Sequence, residues 1–336
     1  MNNNYLSRSD TDCFKGLCAI MVVLCHLCAR TGIGASIGLG PIYSALGYWG
    51  VSGFMFMSGY GLTCSLTKKP TIGGYLNTFI RNRVIPIYLL MVFLVIFYYV
   101  LKLVLSSEPP TIINLIQSFF FGYTVVSFGW YLQSIILIYL LFYVVATYVI
   151  MHNDSLPKKQ LIMGVGIGLL LYICLCLSLD LDCTWYETAF CFLAGVIVSC
   201  YRKRITKMLS QRTTVYFALL FLLGLFVACF TLGCGPYLHG SFKIILKMLS
   251  SVLFCLSWGV IMRITSLVNP VTNFLGYLYL EIYIIQGAIY LFLRNKYWTL
   301  ESEWLFFILG LLLVIGCARL IKPATSSFMI LVKKNA

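Results

Sequence analysis

Long apolar runs separated by short basic segments dominate the chain. A helix needs about 20 apolar residues to cross roughly 30 Å of hydrocarbon. Runs approaching or exceeding that length occur at residues 14–29, 46–66, 84–105, 130–151, 161–179, 185–201, 214–232, 242–264, 271–293 and 304–321. The pattern predicts an all-α, polytopic helical bundle with about ten transmembrane helices, and residues 1–336 read as a single integral membrane domain with no appended soluble domain. The stretch 112–126 is also apolar, but Asn114, Gln117 and Gly122 interrupt it. It reads as an interfacial or re-entrant piece.

Composition agrees with this pattern: 61% of residues are hydrophobic and only 10% charged, which excludes an ordinary soluble domain. The formal charge of +14 suggests nucleic acid at first sight. The cations, however, sit in short segments between spans, where they act as topology signals, and no nucleic-acid partner is expected. Arg8 and Lys15 precede or open the first span. Lys68, Lys69, Arg81 and Arg83 lie between the second and third, Lys158 and Lys159 between the fourth and fifth, and Arg202, Lys203, Arg204, Lys207 and Arg212 between the sixth and seventh. Lys322, Lys333 and Lys334 follow the last. The alternate loops carry Glu108, Asp180, Asp182 and Glu187. The positive-inside rule then puts both termini in the cytoplasm of a multi-pass protein of a bacterial inner or plasma membrane. The polar N-terminal segment and the absence of a small-residue cleavage site give no sign of a cleavable leader.

The most informative polar position is His26, inside the first apolar run and eleven residues after Lys15. Eleven residues are about three helical turns, so both side chains share one face about 16 Å apart. This puts a cation at one membrane surface and an imidazole near the midplane, where an ionisable group is costly and marks a functional site. Cys25 and Cys28 flank the histidine, but neighbouring helical positions diverge by about 100°, so no metal site is predicted. Most of the 14 cysteines fall within spans as small apolar residues; Cys183 and Cys234 lie near the outer loops, where a bridge is permitted.

Lys15-Gly16-Leu17-Cys18-Ala19-Ile20 leading to His26 resembles the first helix of the membrane acyltransferase 3 family, in which Arg or Lys precedes a His at this spacing. Gly50 through Tyr60 is similar to the family's Gly-Val, Phe-rich, Ser-Gly-aromatic signature, and Arg81, Arg83, Pro86 and Tyr88 to its basic, proline-containing approach to the third span. Trp130-Tyr131-Leu132 and Gly276 through Tyr283 resemble two later signatures, so the likeness runs in order from Lys15 to Gln286. The chain departs from the pattern at Gln286, where the family commonly has His, and at Ser52 and Gly53, where acidic or bulkier residues are frequent. A glutamine cannot shuttle a proton, which counts against a dual-histidine mechanism.

The resemblance implies transfer of an acyl group, acetyl from acetyl-CoA or another acyl-CoA, to a hydroxyl of a surface polysaccharide, glycolipid or related lipid-linked sugar. The activity would be that of a membrane-bound O-acyltransferase modifying the cell envelope. The residues are compatible with that chemistry: a neutral imidazole at His26 can take a proton from a hydroxyl or accept the acyl group. Lys15, Arg81 and Arg83 can hold the phosphates of coenzyme A. Each candidate also has a structural reading. His26 can bond a neighbouring helix, and the three cations can be membrane anchors. Ser58 and Gly59 can serve close helix packing, and Trp130 can sit in the interfacial belt. Glu281, in an apolar span, needs a cation or hydroxyl as partner. Two other functions compete: a transporter or flippase, although neither internal repeats nor paired broken helices are visible, and a catalytically inactive glycan-sensing relative, to which Gln286 points.

Overall fold

A computed structural model describes residues 5–68, 72–153, 156–234, 240–265 and 267–335. Helices α1 (Arg8–Thr31), α2 (Ile33–Ser36), α3 (Gly40–Lys68) and α4 (Ile72–Asn77) are followed by α5 (Ile85–Leu105), α6 (Ile112–Gln117), α7 (Trp130–Met151) and α8 (Lys158–Ser178). Then come α9 (Ala189–Cys200), α10 (Arg202–Met208), α11 (Arg212–Cys234), α12 (Ser241–Ile264), α13 (Pro270–Leu293) and α14 (Glu303–Asn335). Among the described residues nine stretches are long and apolar enough to cross a membrane, and the protein is an all-α, multi-pass membrane bundle. The expected run 46–66 lies in α3, a 29-residue helix whose many Gly, Ser and Tyr residues keep its mean hydropathy low. That composition fits its place: α3 is packed by α1, α9 and α12, so little of it needs to suit lipid.

Taken in order, α1, α3, α9, α8, α7, α5 and α13 pack each against the next, and α13 closes the ring on α1. Outside the ring, α12 lies on α3 and α9 with α11 behind it, and α14 covers α13 and α1. Close approach depends on glycine at two crossings. A Cβ on Gly59 would run into the Phe192 carbonyl of α9, and one on Gly195 into the Phe56 carbonyl of α3. A Cβ on Gly16 would strike the Gly276 backbone of α13. Packing therefore accounts for Gly59.

Three expectations change. The run 185–201 is not one continuous helix: a 3₁₀ turn, Cys183–Trp185, precedes the 12-residue α9, and the two together form one of the nine stretches, well enclosed in the bundle. The last helix does not stop before Lys322; α14 continues for 33 residues through Pro323, so Lys322 is a helix residue and not a loop anchor. The first helix starts earlier than the apolar run, because Ser7 and Asp10 form a reciprocal capping box, so Lys15 stands two turns inside it.

The stretch 112–126, expected to be an interfacial or re-entrant piece, forms no membrane-spanning helix. Only α6 is helical, and the backbone after it is held by two buried side chains, which irregular chain inside a membrane protein requires. Gln133 of α7 donates to the Ser118 and Tyr123 carbonyls at 3.1 and 2.7 Å and accepts from Gly122 N–H at 3.2 Å. The Ser118 hydroxyl accepts from Val125 N–H at 2.8 Å. This loop delivers Phe128 to the interior.

The packing also fixes relative direction. Tyr290 of α13 donates to Val23 of α1, and Gly276 faces Asp12, so α1 and α13 run parallel. Lys322 meets Glu281 and Glu303 meets Arg294, so α14 runs opposite to α13. Arg8 and the C-terminal part of α14 consequently lie at the same end of the bundle, together with Arg202, whose guanidinium reaches Thr67 near the end of α3.

Candidate active site

His26 stands five residues before the end of α1, about 7–8 Å along the axis from Thr31. It is therefore nearer the Thr31 end of the helix than its middle. Its ring stacks on Phe128 with centroids 3.5 Å apart and 20° between planes. Phe128 adopts φ +65°, a left-handed conformation that a bulky residue takes only when its surroundings impose it. They do so here: the Tyr283 hydroxyl donates to the Phe128 carbonyl, and Gly129 N–H bonds Val126. Among the described residues no hydrogen bond engages either ring nitrogen of His26, so the inter-helix bond of the structural reading is not made.

One turn further along α1, Arg30 lies over the rings of Phe128 and Tyr290 at 5.9 and 5.4 Å. Among the described residues it pairs with no carboxylate, and both His26 and Lys102 lie within its electrostatic range. Behind the histidine the wall is rigid: the buried Tyr98 hydroxyl donates to the Ile284 carbonyl at 2.8 Å and accepts from Ala288 N–H at 2.9 Å.

The interval between His26 and Lys15 is filled by aromatic residues from four elements. Lys15 lies 5.2 Å over the Tyr279 ring and 3.5 Å from the Asp12 carboxylate. Tyr279 neighbours Phe54 at 5.9 Å, Phe54 neighbours Tyr131 at 5.9 Å and Tyr283 at 6.2 Å, and Tyr283 holds Phe128. Tyr139 donates to Ser58 at 3.2 Å beside this column. Lys15, His26, Ser58, Tyr131, Tyr139 and Tyr279 each keep part of their surface accessible.

The remaining candidates divide. Arg81 and Arg83 lie on a π-helical turn, Ile80–Val84, leading into α5, and both are exposed. Arg83 is within electrostatic range of Tyr139 and Tyr279, and Lys15 of Tyr139, so these two cations share the tyrosine-lined region. No such link joins Arg81 to Lys15. Trp130 is half-buried against Trp185 and Tyr131 at 6.2 and 6.3 Å. Glu281 has the partners it requires: Lys322 Nζ at 3.1 and 3.3 Å from its two oxygens, and the Thr325 hydroxyl. It is a structural tie between α13 and α14. Gln286 is fully buried; its amide nitrogen donates to the Tyr283 carbonyl at 3.1 Å, and its oxygen has no hydrogen-bond partner among the described residues.

Sequence reasoning missed Arg30, Phe128, Tyr283 and Gln133. Arg30 was detectable from its spacing, four residues after His26 on the same helical face. Gln133 was detectable as a lone amide in an apolar span. Nothing local marks Phe128, whose contact with His26 depends on a loop about a hundred residues away in sequence.

An imidazole inside a ring of membrane helices, with a cation some three turns along the same helix face, is the candidate site of a multi-pass membrane protein. The family to which it belongs is an acyltransferase family: residues 8–322 match the acyltransferase 3 family model, described as an acyltransferase domain, and the chain is a member of that family. No curated protein and no solved structure matches it. The protein is accordingly a membrane acyltransferase.

Proposed function

We propose that the protein moves acetyl, or a related acyl group, from acyl-CoA to a hydroxyl of a surface polysaccharide, glycolipid or lipid-linked sugar, with His26 as the catalytic base. The observation that carries this reading is the state of the His26 ring: one face is stacked on Phe128, and among the described residues neither nitrogen has a hydrogen-bond partner. A base needs that freedom, because the acceptor hydroxyl has to come within about 3 Å of it. In the direct reaction His26 takes the hydroxyl proton while the hydroxyl oxygen forms the new bond to the thioester carbonyl carbon. The carbon–sulfur bond breaks, and the coenzyme A thiolate leaves and is reprotonated. Arg30 is the nearest cation to the charge that develops on the carbonyl oxygen.

Donor binding falls to the opposite end of the column. Lys15 and Arg83 supply charge for the coenzyme A phosphates, and the column of Tyr279, Phe54 and Tyr131 gives the pantetheine arm a path toward His26. Lys15 is shared with Asp12, so Arg83 carries part of this role. If the basic end faces the cytoplasm, donor and acceptor approach His26 from opposite sides.

His26→Ala and His26→Gln, expressed at wild-type level, should lose acyl transfer at least about a hundredfold, the size of a general-base contribution. Acyl-group analysis of surface glycans from cells with and without the protein, and with each variant, measures it. Wild-type acylation by His26→Ala would end the assignment. A transporter would instead move an acyl-bearing substrate with no bond made or broken, which the same analysis on purified protein in vesicles separates.

A further inference from the structure

A second site lies at the basic end of the bundle, away from His26. The ends of α3 and α9, the start of α8 and the start of α10 enclose a pocket of about 440 Å³ lined by Thr67, Lys158, Ser199, Tyr201 and the run Arg202, Lys203, Arg204. That is the size of a small-molecule site. Arg202 is fixed within it: its guanidinium donates to the Thr67 hydroxyl at 2.9 Å and to the Ser199 carbonyl at 3.4 Å. Lys158 is held over the Tyr201 ring at 5.7 Å.

Among the described residues no carboxylate pairs with Lys158, Arg202, Lys203 or Arg204. The start of α8 adds to the imbalance. Pro157 caps it without a side-chain hydrogen bond, and Lys158 and Lys159 occupy its first turn with no acidic residue there. Cations at the positive end of a helix dipole are unfavourable unless an anion sits among them. Topology alone requires charge at this end but not a pocket, nor an arginine anchored within one.

We propose that this pocket binds a phosphate ester at the membrane–water boundary, independently of the acyl-transfer site. Arg202, held by the Thr67 hydroxyl, offers a planar guanidinium for phosphate oxygens, and Lys158 and Lys203 supply point charges. The same chemistry fits the headgroup of an anionic phospholipid and a soluble phosphate monoester, and the experiment distinguishes them.

The full chain is reconstituted in phosphatidylcholine nanodiscs. One arm adds phosphatidylglycerol to the disc and counts lipids retained through native mass spectrometry; the other adds glycerol 3-phosphate to the buffer and measures binding by calorimetry. Arg202→Gln and Lys158→Gln are compared with wild type, and Arg319→Gln, an exposed charge elsewhere on α14, serves as control. Each pocket variant should weaken binding of the favoured probe about fivefold, the worth of one cation near such a surface, with Arg319→Gln unchanged. Lys158 is exposed and makes no hydrogen bond or ion pair among the described residues, so its variant tests the site even if Arg202→Gln fails to fold. Phosphatidylglycerol retention sensitive to the pocket variants identifies a lipid headgroup site, and glycerol 3-phosphate binding sensitive to them a soluble one. Binding of neither probe, or equal loss in Arg319→Gln, overturns the proposal.

Discussion

Single side chains decide the proposed chemistry. His26 combines an aromatic neighbour on one ring face with nitrogens that no described protein group engages. Lys15 is the corresponding test on the donor side. Its charge can be removed or conserved without disturbing His26, three turns away. Lys15→Ala should weaken acyl-CoA affinity about tenfold, one charge-assisted contact in size, whereas Lys15→Arg restores most of it because it keeps the cation. His26→Ala should leave donor affinity near wild type and lower single-turnover transfer, the pattern of an interaction made in the transition state. Equal donor affinity in wild type and Lys15→Ala, measured by titration in lipid, would separate Lys15 from coenzyme A.

At the scale of elements, α13 and α14 show how one helix pair both holds and borders the site. Face residues of α13 are divided along its length: Gly276 admits α1, Tyr279 meets Lys15, Tyr283 holds Phe128 and Tyr290 backs Arg30. The Glu281–Lys322 tie fixes α14 against that helix, with side-chain exposures of 2% and 15% for the two partners. Lys322→Met leaves a buried carboxylate without its cation and should cost about 3–5 kcal/mol. Adding Glu281→Gln should recover much of that loss, since the uncompensated charge is then gone. Thermal unfolding of both variants in detergent measures this, and equal midpoints for wild type and Lys322→Met would show the pair to be idle. The loop between α6 and α7 obeys a different rule: having no helix of its own, it is folded by Gln133 and Ser118. Its product is the left-handed Phe128 against the imidazole.

The whole molecule has two ends of different character. Both described chain ends and the basic segments around Lys15, Arg83, Lys158 and Arg202 gather at one, while Arg30, Lys102, Arg294 and Lys296 lie toward the other. The positive-inside rule predicts that the first end is cytoplasmic. A cysteine at Lys159 should then react with an impermeant maleimide only after permeabilisation, and one at Asp180 in intact cells. The opposite result would reverse the donor and acceptor sides of the proposed reaction. Four cations at the far end weaken a count of loop charge, since several of them serve the site: Arg294 donates to the Arg30 carbonyl at 3.3 Å and pairs with Glu303 at 2.7 Å.

The all-α, multi-pass architecture, the break in helix over residues 112–126 and the shared face of Lys15 and His26 follow from the sequence, because helical periodicity and the thickness of hydrocarbon are local constraints on a chain. Membership of the acyltransferase 3 family was legible for the same reason, since its motifs lie within single helices in fixed order. Tertiary structure alone decided which of the marked residues meet. It gave Glu281 the cation that local pattern assigned to a loop, and it brought Arg83 and Lys15 within electrostatic range of the same Tyr139. It set Phe128 against His26 across a hundred residues of sequence. Such contacts depend on how close two helices approach, and that depends on paired absences such as Gly59 facing α9 and Gly195 facing α3. A missing Cβ reads as a small residue in one helix and acquires meaning only when the second helix is beside it.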